Sequence, residues 1–555
     1  ETTPLFSVGY RGLEPHRTQF TQVLKDGVPI HAELFGYPET YYTPTLQSVD
    51  HIEFIRGGAS LMYGPQPGGA LNFITKTPPA GTPFSVYSEN SFGTDELFST
   101  YTSLGGMVEP LGYSAYVHER ERNGFRQTNS DFEVLGAGLK GTFGHTTDSR
   151  WTLAYDEYHE EHGEPGGLTK AVADSEGRDL TTRFNDRFRL ERYAGTLIYE
   201  HELGDASQLD VRTFGGHYRR YSKRQRGGGF GTLPTGATAS TNSIEEQDFY
   251  TFGFEPRFRH TYSAFGQDGH TLTTGVLSYF SKSPREDQRG TSPDADTGAL
   301  RNSSDRSMQY LSVFAEHLFR FGPLSLTPGV RLEHIWQHVT EKVNADKTAA
   351  GTPLAKADEF DFVPLFGVGM TADAGPMVLY TNLSQSYRPK IFTQAVPTRA
   401  TDVVNADLEE GKSWTFDLGL RSRPDTLVTW DASYFFMRFD DQIGNVVNSV
   451  ENVGDTRHQG LELAVETDLV ALVDRAQGTS HRDQFGSLSP FVNLMLLDAT
   501  FVEGPQDGKT PQYAPQYTLR FGAAYRFRDR AKLNLSTTFV DDHFADDANT
   551  ARFTV

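Results

Sequence analysis

The chain has 555 residues, 51 Lys+Arg against 72 Asp+Glu, a formal charge of −21, and 54 Gly, 28 Pro and no Cys. Its acidity excludes a nucleic-acid partner, which would need a basic face, and the lack of cysteine excludes disulfides, thiolate nucleophiles and zinc ribbons. A mean hydropathy of −0.50, with no apolar run of about 18 residues, excludes membrane-spanning helices but not a membrane β-barrel, whose alternating strands hide their apolar face in any average.

Glu1-Thr2-Thr3-Pro4-Leu5 has neither the basic nor the apolar region of a leader peptide. Residues 1–80 are dense in Gly and Pro and end in a hinge, Thr77-Pro78-Pro79-Ala80-Gly81-Thr82-Pro83. They read as one small domain, with residues 81–555 as a second.

Beyond the hinge, period-two alternation recurs and helical periodicity is nearly absent, so the chain is all-β. In Tyr250–Arg259 one face carries Tyr250, Phe252, Phe254 and Phe258, and the other Thr251, Gly253, Glu255, Arg257 and Arg259. Trp414–Arg421 and Tyr517–Arg528 alternate in the same way. A soluble sandwich turns such polar faces to water; an outer-membrane barrel turns its apolar faces to lipid. Connection lengths favour the barrel. Short turns at Glu109–Gly112, Gly266–Gly269 and Asp373–Pro376 alternate with long polar loops near 161–186, 221–244, 284–304, 341–358 and 388–409. The expected architecture is an antiparallel transmembrane meander of about 19 strands.

Three segments carry candidate chemistry. Arg219-Arg220-Tyr221-Ser222-Lys223-Arg224-Gln225-Arg226 packs five cations into eight residues and is expected to open a long extracellular loop. With Arg285, Arg289, Arg388, Lys390 and Arg399 it would form a cationic mouth on an acidic protein and focus an anion into it. Gly136-Ala137-Gly138-Leu139-Lys140-Gly141 matches a dinucleotide GxGxxG, but it lies in a strand with no helix after it. His159-Glu160-Glu161-His162 spaces its histidines three apart, not the four of a zincin helix. A secreted β-rich hydrolase, which needs two carboxylates at fixed separation in a cleft, is the alternative of a different class.

His51–Gln66 followed by Gly68–Lys76 resembles the plug signature of TonB-dependent outer-membrane transporters, and Ser7–Gly12 and Leu24–Pro29 resemble the plug strands upstream. Trp414–Gly419 and Thr456–Glu462 are similar to barrel strands of that family. Tyr63-Gly64-Pro65-Gln66, the Thr456–Glu462 strand and Phe544–Thr550 are most similar to the ferric-citrate branch.

The resemblance implies a barrel of about 22 strands around a small α+β plug, in the bacterial outer membrane and energised by TonB. It implies a monomer and no enzymatic activity. Against that pattern the chain lacks a TonB-box and a first plug strand, and is about three strands short; it reads as trimmed. Arg11 and Arg56 match two plug arginines that meet barrel acids mapping onto Asp417, usually Glu in the family, and Glu462. Both acids face the lumen by alternation. The implied function is import of a ferric chelate, citrate preferred, with other siderophores, cobalamin or an oligosaccharide as alternatives. Fe³⁺ would travel inside its chelate, so the protein needs no metal ligands or cofactor, only arginine forks for exposed carboxylates. Arg219, Arg220, Arg224, Arg226, Arg285, Arg388 and Arg399, with the plug apex around His31–Pro38 and Gln66, are the ligand-binding candidates. One or two of the Arg219–Arg226 cations, a cation from another loop and Gln66 are expected to line one pocket above the plug.

Overall fold

The computed structural model describes residues 7–56, 61–146, 148–392, 408–423, 426–446, 449–452, 454–528 and 530–553. The N-terminal part is a mixed four-stranded sheet of β1 (Gln22–Lys25), β2 (Val28–Pro29), β3 (Val49–Ile55) and β4 (Ala70–Thr75), in the order β2-β1-β4-β3. β1 and β4 are parallel, and the other pairs are antiparallel. The tight β1–β2 turn falls at Asp26-Gly27, both at positive φ, a dipeptide suited to such a hairpin.

From Ser85 to Val540 the chain forms a closed ring of 20 strand segments. Gln267–Lys282 and Arg285–Gly290 continue one another across Ser283-Pro284, so the wall has 19 staves, each antiparallel to the next along the chain. The last stave, Ala531–Val540, and the first, Ser85–Phe92, are the most exposed in the wall and make the slightest join of any neighbours. Tyr250, Phe252, Phe254, Trp414, Leu418, Tyr517 and Phe521 face outward and are exposed, while Thr415, Asp417 and Glu255 face inward and are buried. The wall is thus apolar outside and polar inside, the inverse of a soluble protein. Asn242–Ala264 and Ala299–Phe321 each have 23 residues, about 75 Å at strand rise, far beyond the roughly 30 Å hydrocarbon layer.

The length of these strands corrects the expected loops. The cation-rich segment at 219–226 is not a loop: the strand Ser207–Gln225 carries all but its last residue, paired with Arg187–Leu203 and Asn242–Ala264. Much of 284–304 is likewise strand. A wall that stands above the membrane keeps its alternation among polar residues, and polar alternation resembles loop sequence.

Among the described residues four α-helices sit on the rims: α1 (Lys170–Glu176), α2 (Ala345–Ala350), α3 (Leu469–Gln477) and α4 (His481–Phe485). The N-terminal sheet lies inside the ring, and three cores form at its boundary with the wall, the smallest of Leu13 and Phe20 with Met437 and Phe439. Leu34, Phe35 and Leu61 pack with Phe214, Met308, Tyr310, Ile335 and Tyr387. Val23, Ile30, Tyr41, Tyr42 and Phe73 pack with Phe132, Tyr158, Phe188, Tyr218 and Phe249.

Candidate functional site

At the foot of the plug, Tyr10-Arg11-Gly12 makes a turn in which Leu13 N–H donates to Tyr10 O, and Arg11 and Gly12 have φ of 54° and 76°. A side chain at Gly12 would strike Leu497, Ala514 and His458, so only glycine lets the turn sit this close to the wall. The turn aims Arg11, 1% exposed, into a carboxylate cluster. Its Nε and Nη2 donate to Glu462 at 3.1 and 3.0 Å, and Nη2 pairs with Asp417 at 2.6 Å. The guanidinium lies 4.2 Å from the Phe435 ring centroid, and the Arg11 carbonyl accepts from His458 Nδ1 at 2.9 Å.

Arg56, at the end of β3, pairs with Glu462 at 3.2 Å and Asp431 at 2.8 Å. Tyr380 Oη donates to Asp431 at 2.8 Å. The structure thus brings Arg11, Arg56, Asp417 and Glu462 into one network, and the shorter Asp417 still reaches. Asp431 escaped the sequence reading. It shares the lumenal face of Ser433, Phe435 and Met437 on Val428–Asp440, and alternation along that strand would have found it. It lies three residues from the short-turn end, which puts the network low in the lumen.

Higher up, further contacts stitch the plug to the wall. Tyr218 Oη donates to Ile30 O at 2.5 Å, Arg331 to Leu61 O at 2.8 Å, and Arg257 to Met62 O at 3.1 Å. Lys25 pairs with Asp156. His31 holds the apex from within: burial pulls its pKa down to about 4. The neutral ring accepts Val23 N–H on Nε2 and donates from Nδ1 to Pro38 O. Glu33 accepts from Ser281 Oγ of the wall at 2.8 Å and from Tyr37 N–H at 2.7 Å. Burial nonetheless pushes its carboxyl up to about 7. Gly36 O accepts Phe392 N–H, and a Cβ at Gly36 would strike the Phe392 ring.

The expected cationic mouth is largely neutralised. Arg219 faces outward toward Glu246 at 3.8 Å. Arg220 and Arg224 face inward but pair with Glu245 at 3.1 Å and Glu164 at 2.8 Å. Arg285 pairs with Asp287 at 2.9 Å, and Lys390 with Glu359 at 3.3 Å and Asp361 at 3.5 Å. Gln66 is buried rather than presented to a pocket, with Gln22 and Gln66 both crowding Gly64 and neither carboxamide hydrogen-bonded. The five best-formed cavities among the described residues do not bring Gln66 together with these arginines. Arg399 lies outside the described residues.

Several cations have no carboxylate within ion-pair distance among the described residues, and four of them lie in or beside the expected mouth: Arg226, Arg289, Arg306 and Arg388. Arg226 donates to Thr241 at 3.4 Å, and Arg289 keeps a buried Nε without a partner. Arg306 is buried, donates Nε to Ser304 Oγ at 3.2 Å and has no partner for Nη1. It lines a small cavity with Arg285 and lies 5.8 Å from the Phe392 ring. Arg388 lies 5.4 Å from the Phe20 ring of the plug, and its neighbour Tyr387 donates N–H to Pro65 O, next to Gln66. Sequence reasoning missed Arg306 because it searched loops for cations. Its signal is two-residue spacing from Met308, Tyr310 and Ser312, all buried on the lumenal face.

The two rejected motifs resolve simply. Gly136–Gly141 is inside the strand Phe132–Thr146. His159 pairs with Glu157 outside the wall and His162 with Glu160 inside it, so they cannot share a metal.

A family model described as TonB dependent receptor-like, beta-barrel matches residues 112–555, and one described as TonB-dependent Receptor Plug Domain matches residues 5–71. The chain belongs to the TonB-dependent receptor family. The receptor's wall is therefore an outer-membrane barrel, and its family is one of receptors and transporters, which removes the hydrolase alternative. The vitamin B12 transporter BtuB of Vibrio cholerae serotype O1 is 26% identical over 196 residues, 32% of this chain and 30% of that one. The match thus spans less than a third of that relative. The unliganded ferric citrate transporter FecA superposes with a TM-score of 0.82 at 21% identity, over 99% of this chain and 81% of that one. The ferric yersiniabactin receptor FyuA of Yersinia pestis gives 0.79 at 16%, over 100% and 83%. At these identities the two structures show a shared fold.

Two outcomes are expected. In a double-mutant cycle of Arg11→Ala and Glu462→Ala, read by urea unfolding of the plug, Arg11→Ala costs about 3–5 kcal/mol by stranding the buried Asp417, Glu462→Ala costs less because Arg11 keeps Asp417 and Arg56 keeps Asp431, and the pair costs less than the sum. Additive losses would mean no coupling. The second concerns Glu33, whose folded pKa lies above its ordinary value. Its stabilising contribution is full below about pH 4.5 and is lost as pH rises through about 7. Hydrogen exchange at residues 31–37, corrected for intrinsic rate, should show more protection at about pH 5 than at about pH 8, and Glu33→Gln should remove the difference.

Proposed function

We propose that the receptor imports an anionic ferric chelate, ferric citrate for preference, across the outer membrane, with TonB supplying the work. The observation that carries this reading is the pair of buried or half-buried guanidiniums beside the plug, Arg306 and Arg388, neither of which has a carboxylate at ion-pair distance among the described residues. Holding a cation away from water without a counter-charge costs several kcal/mol; an arriving anion removes that cost. Arg226 and Arg289, nearer the rim and also without a carboxylate at ion-pair distance among the described residues, supply the attraction that brings it in. The rings of Phe392 and Phe20 hold the two deep guanidiniums meanwhile by weaker cation–π attraction.

Citrate around Fe³⁺ satisfies the hard metal with its own oxygens and leaves carboxylate edges outward. Arginine forks match those edges. Arg306 and Arg388 are each next to a plug contact: Phe392 N–H to Gly36 O, and Tyr387 N–H to Pro65 O. A bound anion would therefore pull on residues already tied to the plug. The Arg11–Glu462–Arg56 network then acts as the lower latch that must open before cargo passes.

In a titration of the purified receptor, Arg306→Ala/Arg388→Ala should weaken ferric citrate binding about 100-fold or more, since each charge-assisted contact contributes about 1.5–3 kcal/mol, while the barrel stays folded. Undiminished binding would refute the assigned residues. A wild-type receptor that ignores ferric citrate yet binds cobalamin or a neutral hydroxamate would refute the cargo and leave import standing.

A further inference from the structure

The rim opposite the long loops is built from connections of two to five residues, with one exception among the described staves. Between Thr456–Thr467 and Ser487–Phe501 the chain spends residues 468–486 on α3 and α4. The excursion is well built. Asp468 caps α3, accepting from Val470 and Ala471 N–H at 3.1 and 3.2 Å, and Gly478 ends it at φ 65°. Asp474 ties the helices together, accepting from Thr479 Oγ1 at 2.7 Å and from the N–H groups of His481 and Arg482 at 2.7 and 2.8 Å. Arg482 pairs back to Asp468 at 3.2 Å.

α3 leaves apolar residues in the open. Ala471 is its buried residue, whereas Leu469 and Val473, one turn apart on a single face, are 42% and 45% exposed. A helix in water does the reverse. Phe485, at the end of α4, is 59% exposed. Its carbonyl accepts from Tyr525 Oη at 2.7 Å, and Tyr525 alternates with the outward-facing Tyr517 and Phe521. Arg528 donates to Asp483 O at 3.0 Å from the next turn. These bonds hold the hairpin against the outer face of the wall, not beneath the lumen. Leu461, Leu463, Leu488, Val492 and Leu496 continue the exposed apolar surface up the staves above it.

We propose that α3 and α4 form an interfacial anchor whose apolar face lies in the phospholipid leaflet at the short-turn rim, with Arg475 and Arg528 among its headgroup phosphates. Continuity with the lipid-facing band identifies the occupant. A helix that is amphipathic, short and cationic at its margin lies in the plane of a membrane interface rather than across it. The acids of the hairpin do not oppose this, since Asp468 and Asp474 are spent on helix caps and Arg482, and Asp483 accepts from Ser480 at 2.9 Å. The anchor fixes the depth and rotation of the barrel at the end where the plug latch sits.

The chain has no cysteine, so single thiols report cleanly. Val473→Cys and, as a control on the opposite rim, Lys170→Cys in α1 would be spin-labelled in receptor refolded into phosphatidylethanolamine–phosphatidylglycerol vesicles, with insertion checked by heat-modifiable migration. The label at 473 should be relaxed strongly by oxygen and weakly by an aqueous nickel chelate, with the order reversed at 170. A label at 473 as open to nickel as that at 170 would overturn the proposal, because the hairpin would then stand in water. Shielding at 473 from both reagents would overturn it too, because a protein would then cover the face.

Discussion

A bilayer core supplies no water, so every backbone N–H and C=O that crosses it must find its partner in the next strand. The structure follows from that constraint. Nineteen staves stand in a ring, each paired with the next along the chain and the last only slightly joined to the first, and a ring that wide cannot be filled by its own inward side chains. The described residues of the N-terminal domain fill it instead. Their boundary with the wall is half core, half polar stitching: Phe35 and Tyr41 bury apolar surface worth about 1.5–3 kcal/mol each, while Arg11, Lys25, Glu33 and Arg56 fix register. A plug held by both kinds of contact does not leave by thermal motion, and the import proposed above needs work applied to it.

The arginines divide by partner. Arg11, Arg56, Arg220, Arg224 and Arg285 are matched by carboxylates within the chain. Such pairs specify geometry more than they stabilise, because desolvation offsets most of the attraction. Arg306 and Arg388 have no carboxylate at ion-pair distance among the described residues, and a buried cation left so in a protein of charge −21 is the more informative kind. Abundance of positive charge in a segment said little; the absence of a partner says more, and only the fold reveals it.

Much of the wall was legible in sequence because the pleat has a period of two and lipid enforces it. Phe252 and Phe254 against Glu255, or Trp414 and Leu418 against Asp417, declare their faces without help. The plug network was half legible: Arg11, Arg56, Asp417 and Glu462 came from resemblance, and alternation gave only the lumenal facing of the two acids. Asp431 was readable and overlooked. Gln66 was not readable, since its burial beside Gln22 depends on the approach of β1 to the Gly64 turn. The fate of Arg219–Arg226 was not readable either. A strand that climbs past the membrane loses the apolar half of its pattern, and only its pairing with Arg187–Leu203 and Asn242–Ala264 shows that it is still a strand.

The central claim is that the plug is a gate that must shift against the wall for cargo to pass. Leu61 of the plug reaches within 2.9 Å of where a Cβ would stand at Gly367. Leu61→Cys/Gly367→Cys, closed by a disulfide or a short thiol cross-linker, would tether the two. With radiolabelled ferric citrate in whole cells, the tethered receptor should bind but not accumulate iron, and reductant should restore uptake to the disulfide form. Full uptake by the tethered receptor would contradict a moving plug.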